Sequence, residues 1–370
     1  MPTLLSELHW SEPVLPPAGD AAWEAELKRR GSPVFEVDRR VAPSRWLREA
    51  AYETVSYVPA VVSERLYRIG NMVTAQENAC RYCYGANRAF MKVLGYSEAF
   101  IQRVERDLQL AELDPRERAF IAFCRRLARS RPRPAADERA AMIEVGYSPE
   151  QVGEMALLIS LGCFYNRLST LLACPPEQKF ERMANGPMRW VLSVMMPIAR
   201  RFKPCRPEPP MLDPEALAGG PFGLVLAPLA GLRAGRVMKA ALDGAFEPGA
   251  LSRDAKTLIF AVVARTVGCP HCEATAIRRL AAGSDGRPAA ETWSVAEVEG
   301  AIATLRAPRL PASEAGVLAW ARDTVYFHDP SAIQQKTRAL GTELGPQALL
   351  EAIGVAALAN ATVRLAMLLG

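Results

Sequence analysis

Two Cys-x-x-Cys motifs stand at matching positions in two halves of the sequence. They are Cys80-Arg81-Tyr82-Cys83 and Cys269-Pro270-His271-Cys272, at an offset of 189 residues (269 − 80), and Val73 matches Val262 at the same offset. Further along, the offset becomes 197 (314 − 117) and stays constant for Glu117 with Glu314, Ala122 with Ala319, Pro149 with Pro346, Glu154 with Glu351, Arg167 with Arg364 and Leu168 with Leu365. Because charged and capping positions match as well as apolar ones, the register predicts tandem duplication of one domain.

The pattern of apolar residues and helix caps predicts an all-α fold. Apolar residues recur at helical spacing over Pro59–Gln76, which leads into the first motif. Asp114 and Ser148, each followed by a proline, predict the N-caps of two further helices, and the second of these is long and apolar. The first half shows no convincing alternation of apolar and polar residues that would predict a strand. We expect the two copies to pack about a pseudo-two-fold axis, as in a dimer formed within one chain.

Four segments follow from this layout. We predict an N-terminal arm over residues 1–43, a first helical domain over 44–180, a linker over 181–219 and a second helical domain over 220–370. The linker prediction depends on a cluster of five prolines: Pro204, Pro207, Pro209, Pro210 and Pro214. Such a composition favours an extended, semi-rigid connection.

Composition and charge exclude several classes of protein. The chain has 370 residues, of which 50% are hydrophobic and 23% charged, and a net charge of only +5, so no basic surface for nucleic acid is predicted. The segment Met1–Leu15 lacks the features of a secretory signal, so we expect a cytoplasmic location. The apolar runs Met155–Ala173 and Trp190–Ala199 are interpreted as buried helices, so no membrane partner is predicted.

The spacing of the paired cysteines favours redox chemistry. Thiols three residues apart on a helix lie on one face, close enough to join after a small adjustment. Pro270 suits the first helical position, which makes Cys269 the expected N-cap and places Cys272 in the first turn. The positive end of a helix stabilises a thiolate, and nearby Arg81, Arg265 and His271 add positive charge. We therefore expect a lowered pKa at Cys83 or Cys272.

With these elements the chain resembles the alkylhydroperoxidase D-like, or carboxymuconolactone decarboxylase, superfamily. The resemblance covers residues 45–175 and, more weakly, 230–370, and its first half is similar to the peroxidase-related branch. It is carried by Asn78-Ala79-Cys80-Arg81-Tyr82-Cys83, Val93-Leu94-Gly95-Tyr96 and the helical segment Leu113–Leu127.

The resemblance implies a thiol peroxidase or disulfide reductase that uses no metal and no organic cofactor. It implies that Cys83 and Cys272 attack the peroxide and that Cys80 and Cys269 resolve the sulfenic acid as a disulfide. A hydroperoxide would be the substrate, and a thioredoxin-like or lipoyl-type dithiol protein would reset the pair. Members are usually oligomeric, so a homo-oligomer is a possible state. Since the first motif lies in the closer match, we expect Cys83→Ser to cost more activity than Cys272→Ser.

Both halves depart from the superfamily at its proton relay. The usual His after the second cysteine is replaced by Asn87 and Ala276, and the usual Glu before the first cysteine by Arg68 and Thr257. Glu77 and His271 are the candidate substitutes, because each lies within or beside a motif and can carry a proton. Tyr84 and Asn87 are candidates for hydrogen bonds to a peroxide oxygen.

Several alternatives stay open. Cys269-Pro270-His271-Cys272 is also the tetrapeptide of thioredoxin-like disulfide oxidases, but that fold needs βα units that the sequence does not predict. Four thiolates could bind zinc, although the two pairs are far apart in sequence. A carboxymuconolactone decarboxylase-like enzyme is compatible with the same fold. The missing relay also fits a redox-sensing or interaction scaffold without turnover. The single cysteines Cys124, Cys163, Cys174 and Cys205 are interpreted as small apolar side chains.

Overall fold

The computed structural model describes residues 4–106, 113–131, 133–134, 136–187, 189–191, 194–195, 212–218, 220, 222–281, 292–327 and 329–369. These residues form helices, turns and loops and contain no β-strand, which confirms the all-α prediction. Four prolines of the predicted linker (Pro204, Pro207, Pro209 and Pro210) lie outside the described residues, as does Cys205.

Contacts within the chain divide it into two compact units. The first comprises Met1–Arg40 and Val58–Pro210, and the second comprises Val41–Tyr57 and Met211–Gly370. The helices of the first unit are α1 (Ala21–Arg29), α2 (Glu36–Val41, which ends at the boundary), α4 (Glu64–Glu77), α5 (Arg81–Val93), α6 (Glu98–Arg106), α7 (Pro115–Arg129), α8 (Ala136–Glu144), α9 (Pro149–Leu171) and α10 (Gln178–Asn185).

The second unit contains one helix from the beginning of the chain. Its helices are α3 (Arg45–Val55), α11 (Pro214–Ala218), α12 (Gly223–Leu226), α13 (Arg233–Ala245), α14 (Arg253–Val267), α15 (Pro270–Ala281), α16 (Val295–Thr304), α17 (Val317–Asp323), α18 (Pro330–Leu344) and α19 (Pro346–Leu369). Short 3₁₀ turns lie at Leu5–Glu7, Ala227–Leu229 and Ala312–Glu314.

Two boundaries differ from the predicted segments. Helix α3, which the sequence assigned to the first domain, packs in the second unit because Gly244 and Gly354 leave room for Trp46. A Cβ atom at Gly354 would lie only 2.8 Å from Trp46 Cη2, so a larger residue there would displace the indole ring. Helix α10 begins at Gln178 and so crosses the predicted linker boundary at residue 180. Phe180 packs against Phe90 of α5, with ring centroids 4.5 Å apart and the ring planes tilted by 49°.

Local capping sets the start of α7 and α9 as predicted. Asp114 Oδ1 accepts a hydrogen bond from Glu117 N at 2.7 Å, and Pro115 is the first helical residue. Ser148 Oγ accepts one from Gln151 N at 3.1 Å. These side chains satisfy amides that have no partner inside the helix, while proline has no amide hydrogen to satisfy.

Helix α4 begins later than predicted, at Glu64 rather than Pro59, because a buried carboxylate holds the preceding loop. Glu154 of α9 accepts hydrogen bonds from the backbone N–H groups of Ala60, Val61 and Val62, at 2.6, 2.8 and 2.7 Å. These amides are satisfied by a distant side chain, so the segment has no need to enter the helix.

The second unit repeats this arrangement at the matched positions. Glu351 of α19 accepts hydrogen bonds from Ala250 N and Leu251 N, both at 3.1 Å, in the loop before α14. The serines that cap α4 and α14, Ser63 and Ser252, also match at the offset of 189 (252 − 63). The repeated contacts support the register, while duplication and the two-fold arrangement stay predictions.

The long apolar helices α9 and α19 form the core of their units. Nearly every residue of α19 from Ala348 to Leu368 is buried. Among the described helices, α19 alone has the length and apolar composition of a membrane span, and 94% of its most apolar window is buried inside the structure. Core helices of soluble proteins have the same properties, so this is weak evidence for a span. The interpretation of Trp190–Ala199 as a buried helix is wrong where it is described, since Trp190 is 73% and Met195 53% exposed.

Candidate functional site

Each cysteine pair lies at a sharp corner between two helices. In the first unit, Ala79 takes a left-handed conformation with φ of 49°, and Cys80 N donates to Ala75 O at 3.0 Å, which closes the end of α4. Cys80 is then the N-cap of α5, and its Sγ accepts a hydrogen bond from Cys83 N at 3.3 Å. The corner therefore points a backbone N–H at one sulfur.

The second unit has the same corner. Gly268 is left-handed with φ of 91°, Cys269 N donates to Ala264 O at 2.9 Å, and Cys272 N donates to Cys269 Sγ at 3.4 Å. Helix α15 begins at Pro270, so the predicted position of Cys272 in the first turn is confirmed. All four sulfurs are buried free thiols.

Helix α9 supplies the side chains that face the first pair. Ser169 Oγ lies 3.5 Å from Cys83 Sγ, and the Thr170 side chain lies close enough to Cys80 to lower the pKa of that thiol. Arg167 is 5% exposed and close enough for its charge to act on Cys80. A thiolate at Cys80 would thus meet a backbone N–H, a hydroxyl and a buried positive charge.

These groups separate the acidities of the two thiols in the first unit. Burial acts to raise the pKa of Cys80, but hydrogen bonds with Cys83 and Thr170 and the charge of Arg167 outweigh it, so that pKa is lowered. Burial raises the pKa of Cys83 well above its usual value, and the adjacent Cys80 raises it further. Cys80 is therefore the thiol that ionises first.

The expectation that Cys83 or Cys272 has a lowered pKa is wrong, because the pKa of each thiol is raised. The hydrogen bond with Cys269 and burial both raise the pKa of Cys272. The positive charges expected near the pairs have other roles: Arg265 Nε donates to Glu273 Oε1 at 2.9 Å, and Arg81 pairs with Glu181 at 3.4 Å. Sequence position shows which cations are near, but not which carboxylate neutralises them.

Glu77 faces helix α7. Its carboxylate is 5% exposed and pairs with Arg125 at 3.2 Å and also with Arg129. No contact between Glu77 and Cys80 is found among the described residues. The carboxylate thus joins α4 to α7, and its role as a proton acceptor stays a prediction without geometric support.

The remaining relay candidates also lie away from the sulfurs or are already bonded. His271 is exposed, and partial desolvation together with the charge of Arg278 lowers its pKa. Asn87 Nδ2 donates to the carbonyl of Cys83 at 2.9 Å, which uses its amide within α5. Tyr84 is fully buried.

A second group of titratable side chains borders the motif of the first unit. Tyr82 donates from its hydroxyl to Glu177 Oε1 at 2.7 Å, and the same oxygen accepts from Glu36 N at 2.7 Å. Asp38 is 3% exposed, and burial raises its pKa to about 7. Burial also raises the pKa of Glu177. These carboxylates connect the N-terminal segment and α10 to the motif helix.

Sequence reasoning missed Ser169, Thr170 and the site role of Arg167. The matched register (offset 197) already singled out Arg167, but only as evidence for duplication. At the same offset the second unit has Ala366 and Met367 in place of Ser169 and Thr170. A comparison of the two halves at these positions would have found the hydroxyls, once α9 was known to face the cysteines.

Other cysteines and possible metal ligands add no further site. Cys124, Cys163 and Cys174 are buried, as predicted. Within the described part of the chain, no group of three or more His, Cys, Asp or Glu side chains is placed to hold a metal ion. Comparison with family models, with curated proteins and with solved structures finds no match for this chain, so the resemblance depends on the motif residues alone.

Proposed function

We propose that the first unit is a thiol peroxidase or disulfide reductase centre in which Cys80 and Cys83 cycle between dithiol and disulfide. The observation that carries the proposal is the position of Cys80: it caps α5, accepts a hydrogen bond from Cys83 N at 3.3 Å, and lies beside Thr170 and Arg167. These are conditions that favour the thiolate form of a cysteine.

The two thiols take opposite roles from those implied by the resemblance. Cys80, as thiolate, attacks one oxygen of a hydroperoxide; the S–O bond forms, the O–O bond breaks, and the sulfur loses two electrons to become a sulfenic acid. Cys83 has kept its proton because its pKa is raised, and it gives that proton to the leaving oxygen. No separate relay residue is needed for this step.

The disulfide forms next. The Cys83 thiolate attacks the Cys80 sulfenic acid, an S–S bond forms, and hydroxide leaves and takes a proton from solvent to become water. A dithiol protein then reduces the disulfide by two exchange steps and becomes a disulfide itself. The cycle uses one hydroperoxide and one dithiol per turnover.

The second unit is proposed to be a structural copy with little or no turnover. Helix α19 has Ala366 and Met367 at the positions that match Ser169 and Thr170, and the pKa of Cys272 is raised. A thiolate in this unit therefore lacks the hydroxyl that stabilises Cys80. The second unit would then be the redox-sensing or interaction scaffold without turnover that the sequence left open as an alternative.

Turnover with hydrogen peroxide and dithiothreitol tests the proposal, with Cys83→Ser and Cys272→Ser as matched variants. We expect Cys83→Ser to abolish turnover through the Cys80–Cys83 disulfide and Cys272→Ser to retain most of it. Peptide mapping after one equivalent of peroxide should show Cys80 joined to Cys83. Equal losses in the two variants, or no disulfide in the wild-type protein, would contradict the proposal.

A further inference from the structure

Three polar side chains on α4, its C-cap and α9 are buried in the first unit, near the cysteine corner. Thr74 and Asn78 are 0% and 2% exposed, and Asn166 is 3% exposed. Three of their atoms, Thr74 Oγ1, Asn78 Oδ1 and Asn166 Nδ2, have no hydrogen-bond partner among the residues that the structure describes. We call these three side chains the polar seam.

The polar seam lies on the same side of α9 as the residue that contacts Cys80. Asn78 Nδ2 donates to Cys163 Sγ on α9 at 3.5 Å, which places the end of α4 against that face of α9. Asn166 lies three residues after Cys163 and four before Thr170, so the three share one helix face. Thr170, in turn, lies beside Cys80 and lowers its pKa. A molecule held by the seam would therefore lie beside the sulfur that ionises first.

The fold does not require polar residues at these positions. An unpartnered buried polar group costs about 1–3 kcal/mol, and such groups are rare in native proteins. At the matched positions of the second unit (offsets 189 and 197), the residues are valines, and all are buried: Val263, Val267 and Val363. The corresponding helices of the second unit, α14 and α19, thus pack without polar side chains at these positions. The cost in the first unit calls for a functional reason.

We propose that the polar seam is the binding site for hydrogen peroxide and selects this small, polar oxidant over organic hydroperoxides. The inference rests on the proposed function of the Cys80–Cys83 pair. It identifies the substrate class of that centre, assigns three specificity-determining residues, and restricts peroxide binding to the first unit.

The chemistry of the three groups fits hydrogen peroxide. The molecule has two O–H donors and lone pairs on both oxygens, and the seam offers an acceptor at Asn78, a donor at Asn166 and a hydroxyl at Thr74 that can do both. Cys80 is 0% and Cys83 4% exposed, so the oxidant must fit inside the unit. A bulky alkyl group would have to lie among buried polar atoms, which is unfavourable.

The test replaces the seam by the residues of the second unit, in the triple variant Thr74→Val, Asn78→Val and Asn166→Val. Single-turnover formation of the Cys80–Cys83 disulfide is followed by peptide mapping with hydrogen peroxide, cumene hydroperoxide and diamide, a peroxide-independent thiol oxidant. We expect the wild-type protein to react at least about tenfold faster with hydrogen peroxide than with cumene hydroperoxide, equivalent to about 1.4 kcal/mol. The triple variant should lose that advantage and retain its rate with diamide. The exposed variant Glu150→Gln, on the same helix α9, should react like wild type.

Each outcome decides between the proposals. If the triple variant reacts with hydrogen peroxide as fast as wild type, the seam is not the binding site, while the peroxidase proposal stands. If its rates with diamide and with peroxide fall together, the three residues have only a structural role, and the inference is overturned. If cumene hydroperoxide reacts as well as hydrogen peroxide with wild type, the substrate assignment is wrong. If diamide closes the wild-type pair and neither peroxide does, the proposed function fails, and the inference fails with it.

Discussion

Replacing Thr170 with valine should raise the pKa of Cys80. The Thr170 hydroxyl lies beside the fully buried Cys80 sulfur and lowers its pKa, and valine keeps the branched shape while removing the hydroxyl. A hydrogen bond to a charged group contributes about 1.5–3 kcal/mol. Since one pKa unit corresponds to about 1.4 kcal/mol, the loss should raise the pKa of Cys80 by about 1–2 units.

The assay measures the rate of iodoacetamide alkylation at Cys80 as a function of pH, with the modified peptide quantified by mass. The midpoint of this profile reports the thiolate of Cys80, and the Thr170→Val profile should shift to higher pH. Peroxide consumption at pH 7 should slow by about tenfold or more if the thiolate is the reactive form.

Ser169→Ala is the matched control. Ser169 Oγ lies 3.5 Å from Cys83 Sγ, so it stabilises the other sulfur of the pair. This variant should leave the Cys80 midpoint close to that of wild type. The reasoning is refuted if Thr170→Val moves the midpoint by less than about 0.3 units, or if Ser169→Ala moves it equally.

Two further predictions concern the framework around the site. Glu154→Gln should lower the free energy of unfolding by about 2–4 kcal/mol, because the amide cannot accept hydrogen bonds from all three N–H groups now bound by the carboxylate. Urea denaturation measures this change. The exposed control Glu150→Gln should change the free energy of unfolding by less than about 0.5 kcal/mol. Asp38 has a folded pKa raised from 3.8 to about 7 by burial, so the folded state binds more protons and this group makes the protein less stable as pH rises through that range. Asp38→Asn should therefore be more stable than wild type at pH 8, by about 2–4 kcal/mol, with the difference vanishing below the unfolded pKa. Parallel curves of stability against pH for the two proteins would contradict this reasoning.

Local sequence determined where several of the helices begin. Asp114 and Ser148 cap α7 and α9 as predicted, because a cap depends on a side chain and an amide only three residues away. Pro270 begins α15 for the same local reason. The matched register of the two halves could likewise be found by counting residues, and the paired roles of Glu154 and Glu351 agree with it.

Only the tertiary structure decided what surrounds the sulfurs. Thr170 lies ninety residues after Cys80 (170 − 80), and nothing local to either residue shows that α9 brings them together. Glu77, three residues from Cys80, was a candidate by proximity in sequence, yet packing turns it towards Arg125 on α7. Helix geometry and capping are set by neighbours along the chain, whereas the acidity of a buried thiol depends on which distant side chains share its low-dielectric surroundings.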